Sequence, residues 1–189
     1  MPYTSITETK IKGVFTIQPM VFGDTRGWYL PELEVSELEA AIGIKLGIAQ
    51  IASSFNTKAG ILRGLHYQNP NTQGKLVQAV SGSVLDVAVD VRKDSPTFGQ
   101  HVAVKLTSQE HNQLWVPPGM AHGYLALEEN TRFSYVVTDS VYDPSSEKGI
   151  NAFDVSLGIN WGMTRELIDL KERDLQLPNL KDISLENLL

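Results

Sequence analysis

Through the middle of the chain, apolar and polar positions alternate in short runs that are broken by glycine, proline and asparagine, the rhythm of an all-β sandwich or barrel. KLVQAVSGSVLDVAVDVR, residues 75–92, shows it best: two β-rich runs flank Ser81-Gly82, a dipeptide suited to a tight hairpin. In the second run Leu85, Val87, Val89 and Val91 share one face, and Val84, Asp86, Ala88 and Asp90 the other. Further strands are predicted at 11–18, 47–54, 61–68, 101–106, 113–116, 122–127 and 132–138. Helix is scarce. Ser36 with Glu39 forms a capping-box pattern ahead of Leu38, Ala40, Ala41 and Ile42, with Gly43 as the stop, and a second short helix or turn is predicted over 164–173. So many short strands would leave open edges, which closure or a two-sheet jelly roll removes, and either solution offers a mouth as the natural pocket.

Length and composition narrow the picture. With 189 residues the chain is expected to form one domain over 1–189, ending in a peripheral tail at about 178–189. A net charge of −6 argues against a nucleic-acid partner, which calls for a basic surface. The absence of cysteine excludes disulfides, thiolate catalysis and cysteine-ligated metal. No run reaches the roughly 20 apolar residues of a membrane helix. MPYTSITETKIKG lacks the apolar core of a signal peptide, so no membrane association and a cytoplasmic location are expected.

Of the four histidines, His101 and His111 fall in polar stretches and read as surface residues, while His66 (ILRGLHYQ) and His122 (VPPGMAHGY) stand in unusual settings. Arg63 and His66 are three apart, on opposite faces of a regular strand unless Gly64 allows a bulge that re-aims one of them. Many jelly rolls hold a metal with a His-x-His pair, a carboxylate and a later histidine. Here the pair would be His66-Tyr67-Gln68, so the spacing does not support a metal site. Asp86 and Asp90 lie about 13 Å apart along one strand face and cannot act as a close dyad. An inward Asp86 needs a partner, for which a histidine is suited. Lys75 opens its strand and alone says little, and Tyr135, sharing a face with Phe133 and Val137, reads on its own as a packed core tyrosine.

Six segments in order, VFGDTRG at 21–27, ILRGLHYQ at 61–68, QGKLVQAVSGSVLDVAVDVR at 73–92, SPTFGQ at 95–100, QLWVPPGMAHGY at 113–124 and KERDLQLP at 171–178, resemble the dTDP-4-dehydrorhamnose 3,5-epimerase family over nearly the whole chain. The resemblance implies a cupin-type jelly roll (double-stranded β-helix) with a few short peripheral helices, a homodimer, a dTDP-sugar substrate and no metal or organic cofactor. It implies His66 as base, Asp174 as its orienting partner, Tyr135 as the opposing acid and Lys75 as the group that stabilises an enolate oxygen. His122 and Asp86 would sit nearby. Arg63 and Arg26 would hold the diphosphate, Arg26 reaching across the dimer, with Gln50 at the nucleotide end and Tyr142 stacking on the base.

The chain departs from the family pattern in three places. Trp28-Tyr29-Leu30 is followed by Pro31, which puts Glu32 one place late; Gln50-Ile51-Ala52 lacks an asparagine after the glutamine; and TDSVY at 138–142 carries one extra residue. The expected reaction is inversion at C3 and C5 of a 4-keto sugar in the route to dTDP-L-rhamnose. A 3-epimerase or 3,4-ketoisomerase, a metal-dependent cupin oxygenase and a sugar-binding module are the competing readings.

Overall fold

Two antiparallel sheets face each other in the computed structural model, which describes residues 2–189. The six-stranded sheet runs β1 (Tyr3–Glu8), β2 (Phe15–Pro19), β10 (Gln113–Val116), β7 (Gly74–Ser81), β12 (Thr131–Thr138), β5 (Ile48–Asn56). The five-stranded sheet runs β13 (Glu147–Gly149), β6 (Leu62–Gln68), β11 (Met120–Ala126), β8 (Ser83–Asp90), β9 (His101–Thr107). A small hairpin, β3 (Phe22–Asp24) with β4 (Gly27–Tyr29), stands apart. The architecture is the expected jelly roll. Among the described residues, no helix is long and apolar enough to cross a membrane.

The Ser81-Gly82 turn forms, with Gly82 at φ 70°, but β7 and β8 do not pair as a hairpin. The chain instead crosses there from one sheet to the other. Each run is apolar or buried on both faces, so each occupies the middle of its own sheet, β7 between β10 and β12 and β8 between β11 and β9. The two-face pattern of β8 becomes two cores. Leu85, Val87, Val89 and Val91 face an outer core with Leu65, Trp161 and Leu188, whereas Val84 and Ala88 enter the core between the sheets with Val77, Leu114, Tyr124 and Phe133.

Several local expectations are corrected. The run at 11–18 begins its strand only at Phe15, because Ile11 and Val14 turn inward as fully buried residues around Gly13. The helix α1 spans Val35–Ile42 with Glu34 as an extended N-cap that makes no side-chain cap; Ser36 lies inside the helix and bonds to Glu34 at 3.1 Å. Glu39 accepts from Lys45 and from the Leu46 amide rather than closing a capping box. Gly43 does end the helix, in the left-handed region at φ 76°. Residues 164–173 break into a 3-10 turn at Arg165–Leu167 and the start of a one-turn helix α2, Glu172–Leu175. The closing segment is docked: Leu180 and Leu188 are buried, and Leu189 exchanges backbone bonds with Val91 and Lys93.

Candidate active site

A bulge in β6 sets the geometry of the site. His122 of β11 is the register partner of His66, whereas Tyr124, two residues on, faces Arg63, three residues away on β6. The extra residue is absorbed at Gly64, whose φ of 120° and close approach to Gly123 leave no room for a side chain. Arg63 and His66 therefore line the same cavity. From α2, the buried Asp174 meets His66 Nε2 at 2.9 Å through Oδ1. Burial pushes this carboxyl up, but the His66 hydrogen bond and charge and the nearby Arg173 hold it net below its ordinary value. With Nε2–H given to Asp174, the free lone pair of His66 is on Nδ1.

The opposite sheet supplies Lys75 and Tyr135. On β7 and β12, Lys75 faces Val137 and Val77 faces Tyr135, so the ammonium and the phenol come from one inward face. Burial pulls Lys75 down from 10.5 to about 8 even though Asp86 and Glu147 oppose the shift. Burial likewise raises the Tyr135 phenol well above 10, with a neighbouring contribution from Tyr124, while a 3.3 Å bond to Ser54 acts in the other direction. Tyr135 meets Phe133 edge-on, with ring centroids 5.0 Å apart. Asp86, fully buried, has the histidine partner that its inward position requires: His122 Nε2 lies 2.9 and 3.0 Å from its two oxygens. The other inward carboxylate, Asp90, is bound by Arg92, Ser95 and Thr97 and holds a turn instead.

The cavity between the sheets has a volume of about 390 Å³. His66, His122, Lys75, Tyr135, Asp174, Arg63 and Tyr142 line it. Tyr142 stands half-exposed, its hydroxyl bonded to Glu147 at 2.9 Å. Arg26 and Gln50 are not among the lining residues. Arg26 sits on the exposed β3–β4 hairpin in an ion pair with Asp24, and Gln50 is exposed on the edge strand β5. Glu32 lies beyond β4, in a loop whose carbonyl accepts from Gln113. Neither His101 nor His111 reaches the cavity; His111 packs on Trp28 with rings 4.4 Å apart.

Glu147, Arg173, Lys171, Gln73 and Tyr124 also line the cavity and went unread in the sequence. Tyr124 could have been found, since it follows His122 by two on one strand and so shares its face. Glu147 and Arg173 form an ion pair at 2.9 Å between a three-residue strand and a one-turn helix, elements too short to leave a pattern. Among the described residues, no cluster of three or more His, Asp or Glu has the geometry to hold a metal ion. The arrangement puts a carboxylate-backed imidazole on one sheet and a partly buried phenol and ammonium on the other.

A family model described as dTDP-4-dehydrorhamnose 3,5-epimerase matches residues 8–182. The dTDP-4-dehydrorhamnose 3,5-epimerase of Shigella flexneri is 43% identical over 169 residues, 89% of this chain and 92% of that protein. A crystal structure of dTDP-6-deoxy-D-glucose-3,5-epimerase from Legionella pneumophila Philadelphia 1, in complex with dTDP-4-keto-L-rhamnose, is similar with a TM-score of 0.93 and 39% identity, covering 97% of this chain and 96% of that one. A 3'-monoepimerase from Streptomyces bikiniensis is similar at a TM-score of 0.83 and 30% identity, covering 92% and 86%. With the match running through both sheets and the segment that carries Asp174, this chain belongs to the dTDP-4-dehydrorhamnose 3,5-epimerase family.

Proposed function

We propose that the chain inverts C3 and C5 of dTDP-4-keto-6-deoxy-D-glucose to give dTDP-4-keto-L-rhamnose, a step in making dTDP-L-rhamnose. The observation that carries this reading is the opposition of the His66–Asp174 pair on one sheet to Tyr135 and Lys75 on the other, across one cavity. The 4-ketone acidifies the hydrogens on C3 and C5. His66 takes the proton from one face of the ring, and Asp174 fixes its tautomer and supports the imidazolium that forms. Negative charge then gathers on the ketone oxygen, where the Lys75 ammonium stabilises it. Tyr135 returns a proton to the other face, which inverts the carbon. His122, bound by Asp86, would donate or accept beside the sugar.

Arg63 spends Nε on Asn56 and Nη2 on the Phe55 carbonyl, leaving its other donors for the diphosphate. Gln50 shares a strand face with Ala52, the register partner of Tyr135, which suits contact with the nucleotide end, and Tyr142 at the rim suits stacking on the base. Arg26 does not line the cavity of its own chain, which favours action at the cavity of another copy. A homodimer is supported by the exposed apolar edge of β5, with Ile51 73% and Phe55 55% exposed, and by Trp28, 60% exposed beside Arg26. We place the enzyme in the cytoplasm with its nucleotide-sugar substrate.

The test is incubation of metal-stripped protein with dTDP-4-keto-6-deoxy-D-glucose in deuterated water, following label by NMR. Deuterium at both C3 and C5, with the L-configured product trapped by a reductase, is the expected result. Label at C3 alone would assign a ketoisomerase or a 3-epimerase, the latter being the activity named for the Streptomyces bikiniensis relative, and no exchange would refute epimerisation.

A further inference from the structure

Behind Tyr135 lies a series of hydrogen bonds that the reaction as described does not use. Asn56 is fully buried on β5, and each of its amide atoms is committed. Its Oδ1 accepts from Arg63 Nε at 3.1 Å, and its Nδ2 donates to the Thr131 carbonyl and to the Tyr124 hydroxyl, both at 3.1 Å. Tyr124, 1% exposed, is held against Phe133 with ring centroids 4.3 Å apart. Its single hydroxyl proton has two acceptors in reach, Ser54 Oγ at 2.6 Å and Asn56 Oδ1 at 3.2 Å. The proton is assigned to the shorter of the two, so that Tyr124 donates to Ser54. Ser54 then has its own proton free for Tyr135, whose hydroxyl lies 3.3 Å away.

We propose that Ser54 is a positioning residue for the Tyr135 acid, the last link in a run of donors that starts at the Arg63 guanidinium and passes through Asn56 and Tyr124. Every donor in the run points toward the phenol. When Tyr135 gives its proton to the ring carbon, its O–H bond breaks, the C–H bond forms and a phenolate remains until water reprotonates it. Ser54 meets that charge with a hydrogen bond and keeps the ring aimed at the face opposite His66. Burial makes the phenolate costly, and a donor at this point offsets the cost. The inference rests on Tyr135 being the acid.

The experiment compares loss of substrate hydrogen into deuterated water with net inversion at C3 and C5. In Ser54→Ala, His66 still removes and returns hydrogen on its own face, so exchange stays within a few-fold of wild type while inversion falls by about ten- to hundredfold, as for a lost bond to a charged group. The ratio of exchange to inversion therefore rises, and Ser54→Thr, which keeps the hydroxyl, restores it. A role in folding alone would lower both rates together. An unchanged ratio in Ser54→Ala overturns the proposal, and Tyr124→Phe, expected to raise the ratio less, decides it if Ser54→Ala does not fold. Tyr135→Phe separates the two layers. A raised ratio there with a wild-type ratio in Ser54→Ala refutes only the role of Ser54, whereas a wild-type ratio in Tyr135→Phe refutes the acid assignment beneath it.

Discussion

Replacing Lys75 with methionine should make the protein more stable and nearly inactive. The cost of holding its ammonium between the sheets is visible in the fall from 10.5 to about 8, with burial outweighing the attraction of Asp86 and Glu147. That fall corresponds to about 3 kcal/mol of folding stability. At pH 7 both the folded and the unfolded chain carry the proton, so the full cost is present. Between pH 8 and 10.5 the folded chain has released a proton that the unfolded chain still holds, so stability rises with pH across that window. Methionine keeps the stem and removes the charge, so the variant should exceed wild type by up to about 3 kcal/mol at pH 7, with the gap closing toward pH 10. Urea unfolding of both proteins at the two pH values measures the gap, and other groups that titrate in this range cancel in the difference. Without the ammonium, turnover should fall by about two to three powers of ten. In wild type, kcat/KM should decline as pH passes about 8, because Lys75 loses its proton long before the Tyr135 phenol does. Equal stabilities at pH 7, or a gap that does not change with pH, would refute the burial argument.

Other outcomes follow from the same geometry. His66→Asn should lose several powers of ten in kcat with dTDP affinity nearly intact, and Asp174→Asn about two to four, because the amide no longer fixes the tautomer; single-turnover kinetics with calorimetric dTDP binding checks both. In Gly64→Ala the new Cβ would lie 2.6 Å from Gly123 Cα and 2.7 Å from the His122 carbonyl at a φ of 120°, so stability should fall by at least about 2 kcal/mol. A urea midpoint close to wild type would remove the need for the bulge. If Arg26 serves the partner's cavity, a mixture of Arg26→Ala and His66→Asn, each almost inactive alone, should regain about a quarter of wild-type activity through heterodimers with one complete site. No regain after subunit exchange would confine Arg26 to its own chain or remove it from the reaction.

The parts of the fold most legible in the sequence are its buried central strands. Residues 113–116 and the two runs about Ser81-Gly82 read correctly as strands because apolar side chains fill their faces. Their pairing did not read correctly: a Ser-Gly turn fits a hairpin and a crossing between sheets equally, and the choice is made by the strands that occupy the neighbouring places. β1 has one buried residue in six, and β3 and β4 are exposed throughout, so no alternation marks them. The capping-box pattern failed because it lay two residues too deep in its helix, whose N-cap is Glu34. Within the site, the need of Asp86 for a histidine followed from one carboxylate on an inward face. By contrast, Asp174 lies 108 residues from His66 on a one-turn helix, and no local periodicity connects them. Only the family resemblance pointed to that pair. Ser54 escaped notice because a serine in an edge strand looks solvated until the buried hydroxyl of Tyr124 is found against it.

The sandwich explains why this chemistry sits between its sheets. A flat sugar ring held in the gap presents one face to each sheet, and inversion needs a proton to leave by one face and return by the other, so the base and the acid must come from different sheets. His66 and His122 are cross-strand partners, at a spacing where two imidazoles could share one ion. Each Nε2 is instead committed to a carboxylate of its own, that of His66 to Asp174 from the C-terminal segment and that of His122 to Asp86 from the neighbouring strand. The bulge at Gly64 completes the division, turning Arg63 to the same side as His66, so that the residue proposed for the diphosphate and the proposed base lie on one strand. In the proposed roles, a substrate anchored by its diphosphate at Arg63 would bring its sugar to the base and under the phenol of the opposite sheet. The proposed diphosphate anchor and the proposed base are thus tied together by β6, and a one-residue shift in that strand would separate them.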